Sequence, residues 1–147
     1  MLSIGWALGL SLLLASPPPP PEDPVSARQT ATRFIQALTA ADVVRARSMC
    51  LDGAGFKALS RHSPDPKAYD ARLSETLTAY ASEMRQGLVF KDALVADALL
   101  MPASDKHQGL VLAVVHAQFF LPDGKPLESP LVLTFVRQGS EWRFLLR

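Results

Sequence analysis

GLVLAVVHAQFFLPDGKPLESPLVLTFVRQGSEWRFLLR, residues 109 to 147, is the stretch that decides the fold. Runs rich in Val, Leu and Phe are divided by LPDGKP and by QGS. Asp123-Gly124 and Gly139-Ser140 are hairpin signals, the second the tighter. In the last run Trp142, Phe144 and Leu146 alternate with Glu141, Arg143 and Arg147. That two-residue period is a strand with one packed face and one wet face. A further apolar run, about 88–101, precedes this stretch across MPASDKHQG. Short connections make consecutive strands antiparallel neighbours, so four strands over about 88–101, 109–121, 127–138 and 141–147 predict a meander.

The residues before this sheet carry a helical period instead. Ala27, Ala31, Phe34, Ile35 and Leu38 share one face at 3.6-residue spacing, behind the S-x-x-Q capping pattern of Ser26 and Gln29. Thr39 and Asp42 form a second cap-like pair, ahead of the stripe Val43, Ala46, Met49 and Cys50. Gly53 and Gly55 punctuate this helix, and Phe56 with Leu59 add one more turn. A third helix has Asp65 as N-cap, Pro66 at its first position and Gly87 as its left-handed C′ residue. Its stripe is Tyr69, Leu73, Leu77, Tyr80 and Met84. Three helices must cover the apolar face of the sheet, which is an α+β arrangement with the helices on one side of a curved four-stranded antiparallel meander. Trp142 is expected to pack against the third helix, with Phe34, Leu77 and Phe144 around it.

Upstream, LSIGWALGLSLLLA (residues 2–15) carries no charge. As a helix it would span about 21 Å, short of the roughly 30 Å of membrane hydrocarbon. It has the length of a secretory h-region. PPPPPEDP then forms a stiff polyproline spacer. The expected organisation is a signal-like segment over 1–16, a Pro-rich spacer over 17–25 and one domain over 26–147. The expected location is extracytoplasmic, periplasmic or secreted. The membrane is touched only through an uncleaved N-terminal segment.

Composition narrows the function. The chain has 147 residues, 48% hydrophobic and 20% charged, with Lys+Arg 15 against Asp+Glu 14. The two signs are interspersed along the chain, with no run of cations that a nucleic acid would need. The single Cys50 cannot make an internal disulfide and reads as a small buried hydrophobe. His62 and His107 lie in loop sequence, and no H-x-H or H-E-x-x-H pattern marks a metal. No G-x-S-x-G, G-x-G-x-x-G or P-loop pattern is present. No cofactor is implied.

ATRFIQALTAADVVRARSMC and GSEWRFLLR, in the order helix-helix-helix-meander, resemble the cone-shaped domain of the ketosteroid isomerase and nuclear transport factor superfamily. The resemblance covers about residues 26–147. It implies a cone-like α+β fold. The isomerase chemistry needs an acidic base and an oxyanion hole of tyrosine and protonated carboxyl. No position here matches that set residue by residue.

His116 is the residue singled out. With Leu110, Leu112, Val114, Gln118 and Phe120 it shares one face of its strand, while Val111, Ala113, Val115, Ala117 and Phe119 share the other. Both faces are apolar, so the strand is central and covered on both sides over part of its length. Either the polar pair lines a pocket in the cone or it leaves cover and meets solvent. Asp92 and Asp97, five apart, point to opposite faces unless a bulge intervenes. His116, Gln118 and Tyr80 are the candidate ligand-binding residues. The leading expectation is a non-catalytic exported domain that binds a small apolar ligand or an envelope protein on its concave sheet face. The alternatives are an isomerase- or dehydratase-type enzyme with His116 as general base, and a structural module that forms a homodimer.

Overall fold

The computed structural model describes residues 24–60, 65–101 and 109–146. The signal-like segment, all of the spacer before Pro24, His62 and His107 lie outside the described residues. Four helices come first: α1 (Pro24–Thr39), α2 (Val43–Ser48), α3 (Gly53–Leu59) and α4 (Pro66–Met84). Four strands follow: β1 (Val89–Met101), β2 (Leu110–Phe120), β3 (Leu131–Gln138) and β4 (Glu141–Phe144). They pair antiparallel in the order β1-β2-β3-β4. The α+β meander is therefore as expected, with α3 a helix of its own rather than a last turn of α2.

Local chemistry explains each boundary. Helix α1 begins at Pro24, whose missing N–H suits a first turn, so Ser26 and Gln29 lie inside the helix rather than capping it. Asp42 caps α2, Asp52 caps α3 and Asp65 caps α4, each carboxylate accepting a backbone N–H three residues on. Gly87 has φ 94 and Gly139 has φ 63, a backbone that suits glycine. Gly139 and Ser140 form the two-residue turn that pairs Gln138 with Glu141.

Core packing follows the stripes. Ala27, Ala31, Phe34, Ile35 and Leu38 of α1 and Tyr69, Leu73, Leu77 and Met84 of α4 are buried. They meet Ala113, Val115, Ala117 and Phe119 of β2 and Leu133 and Phe135 of β3. Phe34 stacks on Phe144 at 4.8 Å between ring centres and meets Phe135 edge-on at 5.9 Å. A second, smaller cluster lies on the other face: Leu51, Leu112, Val136 and Leu145, under Phe56 and Leu59 of α3. Strand β2 is thus central and covered on both sides at its Leu112 end. Trp142 is buried, but it shares a hollow with Ser26, Thr30 and Arg33 of α1 and Arg45 of α2. The expected packing of Trp142 on the third helix is corrected: α1 crosses all four strands and meets β4 itself.

Tyr69 ties the ends of the fold together. Its ring stacks on Phe56 at 5.2 Å and its hydroxyl accepts the backbone N–H of Leu146 at 3.1 Å. Burial pushes the Tyr69 phenol up from its ordinary value, against the lowering effect of that hydrogen bond. Tyr69→Phe keeps the stack and loses the acceptor, so it is expected to cost about 1–2 kcal/mol. Equilibrium urea unfolding measures it, and a neutral result would mean that water replaces the hydroxyl without loss.

Arg28 of α1 donates two hydrogen bonds to Asp92 of β1, at 2.7 and 2.8 Å. The guanidinium holds the Asp92 carboxyl below the usual carboxylate range. A depressed carboxylate pKa stabilises the fold above the unfolded value of about 3.9, and the gain is lost as pH falls through the folded one. Asp92→Asn should therefore lower stability slightly at pH 7 and leave it unchanged in strong acid. Thermal unfolding at both pH values checks this, and an equal loss at both would remove the ion pair as the cause.

Candidate functional site

The sheet separates two surfaces. On its helix-covered face the side chains interlock. Near the end of α4 that face leaves a hollow of about 180 Å³. Tyr80, Met84, Leu88, Phe119, Leu127 and Leu131 line it. Tyr80 is half-buried there, and burial together with the Glu83 carboxylate raises its phenol pKa.

The other face is open over most of its area. The pairing register sets Leu94 of β1, His116 of β2 and Val132 of β3 in one row across it. Val132 is 54% exposed, Leu94 44% and Leu99 40%. Val89, 57% exposed, stands opposite Phe120 at one end of the face. Lys91 lies over the Phe120 ring at 5.4 Å. His116 is half-buried, and neither ring nitrogen has a hydrogen-bond partner among the described residues.

His116, Gln118 and Tyr80 do not form one site. Gln118 and His116 lie on the open face and Tyr80 on the helix-covered one, with the sheet between them. Tyr80 borders the hollow on the helix-covered face, whereas the polar pair lies outside it on the open face. The two aspartates behave differently from their spacing. A register shift between Val95 and Asp97 absorbs one residue, so Asp92 stands opposite Gln118 and Asp97 opposite Val114, on one face of β2. Asp92 is committed to Arg28.

As a general base, His116 would need an orienting partner to fix its tautomer. Its cross-strand neighbours are Leu94 and Val132, which supply none. Cys50 donates its S–H to the carbonyl of Ala46 at 3.2 Å, and burial pushes its thiol up to about 12, despite Arg47 and Arg143 nearby. A thiol held protonated in this way is a packing residue, not a nucleophile. Among the described residues no group of His, Cys, Asp and Glu is placed to hold a metal ion.

A third region was hidden in the sequence. Arg33, Arg45, Arg47 and Arg143, interspersed with acids along the chain, gather where α1, α2 and β4 meet, around two hollows. One, of about 600 Å³, contains Arg47, Asp52 and Asp70; Arg47 pairs with Asp70 at 3.4 Å and also donates to Ser74. The other, of about 340 Å³, contains Arg33, Arg45 and Glu141, and Arg143 borders both. Only contact distance could have revealed this grouping, because 98 residues separate Arg45 from Arg143. Compared with known proteins, the chain matches no family model, no curated protein and no solved structure at a significant level.

Proposed function

We propose that the chain is a non-catalytic assembly domain, exported by its N-terminal apolar segment, whose working surface is the open face of the sheet. The occupant of that face is a second copy of the chain. The observation that supports the reading is the row Leu94–His116–Val132 with Leu99 and Val89 exposed beside it, on a face that α3 covers only at its Leu112 end. The resemblance to the cone-shaped isomerase and transport-factor superfamily belongs to the same proposal, through its fold and not its chemistry.

Size and charge favour a self-complementary partner. Eleven residues of β1 and the width of three strands make a footprint of roughly 35 by 15 Å, or about 500 Å² per copy. Two copies then bury about 1,000 Å², the lower bound for a specific interface. Asp92 of this face is already paired with Arg28, which leaves Asp97 among Leu94, Leu99 and Val132, so no strongly charged partner is called for. A twofold axis parallel to β2 lays β1 of one copy over β3 of its mate. Leu94 then meets Val132, and each Asp97 lies over β3 of the mate rather than over another carboxylate. Twist sets the two sheets at about 30°.

Sedimentation velocity tests this. The wild-type chain is expected at twice the mass of one chain at micromolar concentration. Val132→Arg buries an unpaired charge on each copy, which costs about 2–5 kcal/mol and raises the dimer dissociation constant at least roughly thirtyfold. The variant should run as a monomer with an unchanged circular dichroism spectrum. A monomeric wild type, or a dimer indifferent to Val132→Arg, would overturn the reading. In the latter case the face would be free for another protein.

A further inference from the structure

The corner between α1, α2 and β4 carries an inference independent of the open face. We propose that it binds a small organic anion with two or more negative charges. Three guanidinium groups, Arg33 from α1, Arg45 from α2 and Arg143 from β4, line a hollow of about 340 Å³ together with Thr30, Trp142 and Glu141. The volume lies at the low end of the roughly 300–1,000 Å³ of small-molecule sites, enough for an anion the size of citrate.

The three arginines are held differently. Arg143 is fixed: one nitrogen donates to the Ser48 carbonyl at 2.5 Å and another to the Glu141 carboxylate at 2.5 Å. Arg33 and Arg45 have no ion pair among the described residues. Glu141 is the one carboxylate in this lining, so three positive charges face one negative. The excess is two, which a dianion neutralises and a monoanion does not. Like charges held together from three separate elements repel, and a multivalent anion between them turns that cost into attraction. Guanidinium forks also match carboxylate and phosphoryl oxygens in pairs, which favours these headgroups over a spherical ion. The buried Trp142 gives the hollow a rigid wall, and Thr30 adds a hydroxyl donor. Because Arg33 and Arg45 are exposed, the attraction should be strongly screened by salt.

The test is a two-dimensional amide NMR titration of the full chain with citrate, inorganic phosphate and acetate as probes. Saturable shifts are expected at Thr30, Arg33, Arg45 and the Trp142 indole, with a dissociation constant for citrate or phosphate at least tenfold below that for acetate. The tighter of the two names the preferred headgroup as carboxylate or phosphoryl. The double variant Arg33→Gln/Arg45→Gln should raise the dissociation constant at least tenfold while its other resonances stay in place. Raising salt from about 20 to about 300 mM, which cuts the Debye length from roughly 20 Å to roughly 6 Å, should weaken binding as well. Shifts that never saturate, acetate binding as tightly as citrate and phosphate, or affinity untouched in the double variant would each overturn the proposal. A single Arg143→Gln variant checks the site from the other side: it should weaken citrate too, with the Arg33 and Arg45 signals still responding.

Discussion

Phe34→Ala is expected to destabilise the domain by about 3–5 kcal/mol, the range for truncating a buried aromatic ring. Phe34 is fully buried on α1, and its ring is the hub of three. It stacks on Phe144 with the ring planes 21° apart and meets Phe135 at 89°, while Phe135 and Phe144 meet each other at 5.9 Å and 70°. Removing it therefore breaks two aromatic contacts as well as burial, and leaves α1 without its anchor on β3 and β4. The site cannot collapse to close the cavity, because backbone pairing fixes Phe135 and Phe144 opposite each other. Domains of this size have about 5–15 kcal/mol of stability in all, so the loss is roughly a fifth of it or more. Urea unfolding followed by circular dichroism measures the change. A loss below about 1 kcal/mol would show that the three rings are not the centre of the core.

What sequence could reveal here depended on whether a pattern has one meaning. The α1 and α4 stripes are apolar on one side only, so their buried faces followed directly from Ala27 to Leu38 and from Tyr69 to Met84. The alternation in β2 told which residues share a face with His116. It could not tell which face the helices choose, because both are apolar. The placement of His116 and Gln118 on the open side was therefore invisible, and so was their separation from Tyr80. Two further features depend on distance rather than pattern. The bulge beside Asp97 breaks the alternation that placed Asp92 and Asp97 on opposite faces. The arginine corner is assembled from residues 33, 45 and 143, whose spacing carries no period. Helix α3 escaped recognition because its seven residues contain two glycines, which propensity counts against a helix.

Those two glycines have different expected fates, and Gly53 is the larger test. Its backbone N–H donates to the Asp70 carboxylate of α4 at 2.8 Å, so the chain passes close to α4 at this point. A Cβ added at Gly53 would lie 2.2 Å from the Pro66 carbonyl oxygen and 2.6 Å from its Cα. Both are backbone atoms of the first turn of α4, a turn fixed by the Asp65 cap and by proline itself. Neither can swing aside, so α3 must move away from α4. That movement strains the Asp70 hydrogen bond and the Phe56–Tyr69 stack together. Gly53→Ala is expected to cost about 2–4 kcal/mol, overpacking plus a weakened, part-buried hydrogen bond. At Gly55 a Cβ would meet the Leu51 side chain at 2.7 Å and the Asp52 carboxylate at 3.0 Å. A leucine methyl can change rotamer, and alanine is the better helix former by about 1 kcal/mol, so Gly55→Ala should fall within about 1 kcal/mol of neutral. Thermal unfolding of the two variants side by side decides the matter. Equal effects would mean that helix propensity, and not the contact with Pro66, governs α3, whereas a loss confined to Gly53→Ala would locate the constraint at the α3–α4 crossing.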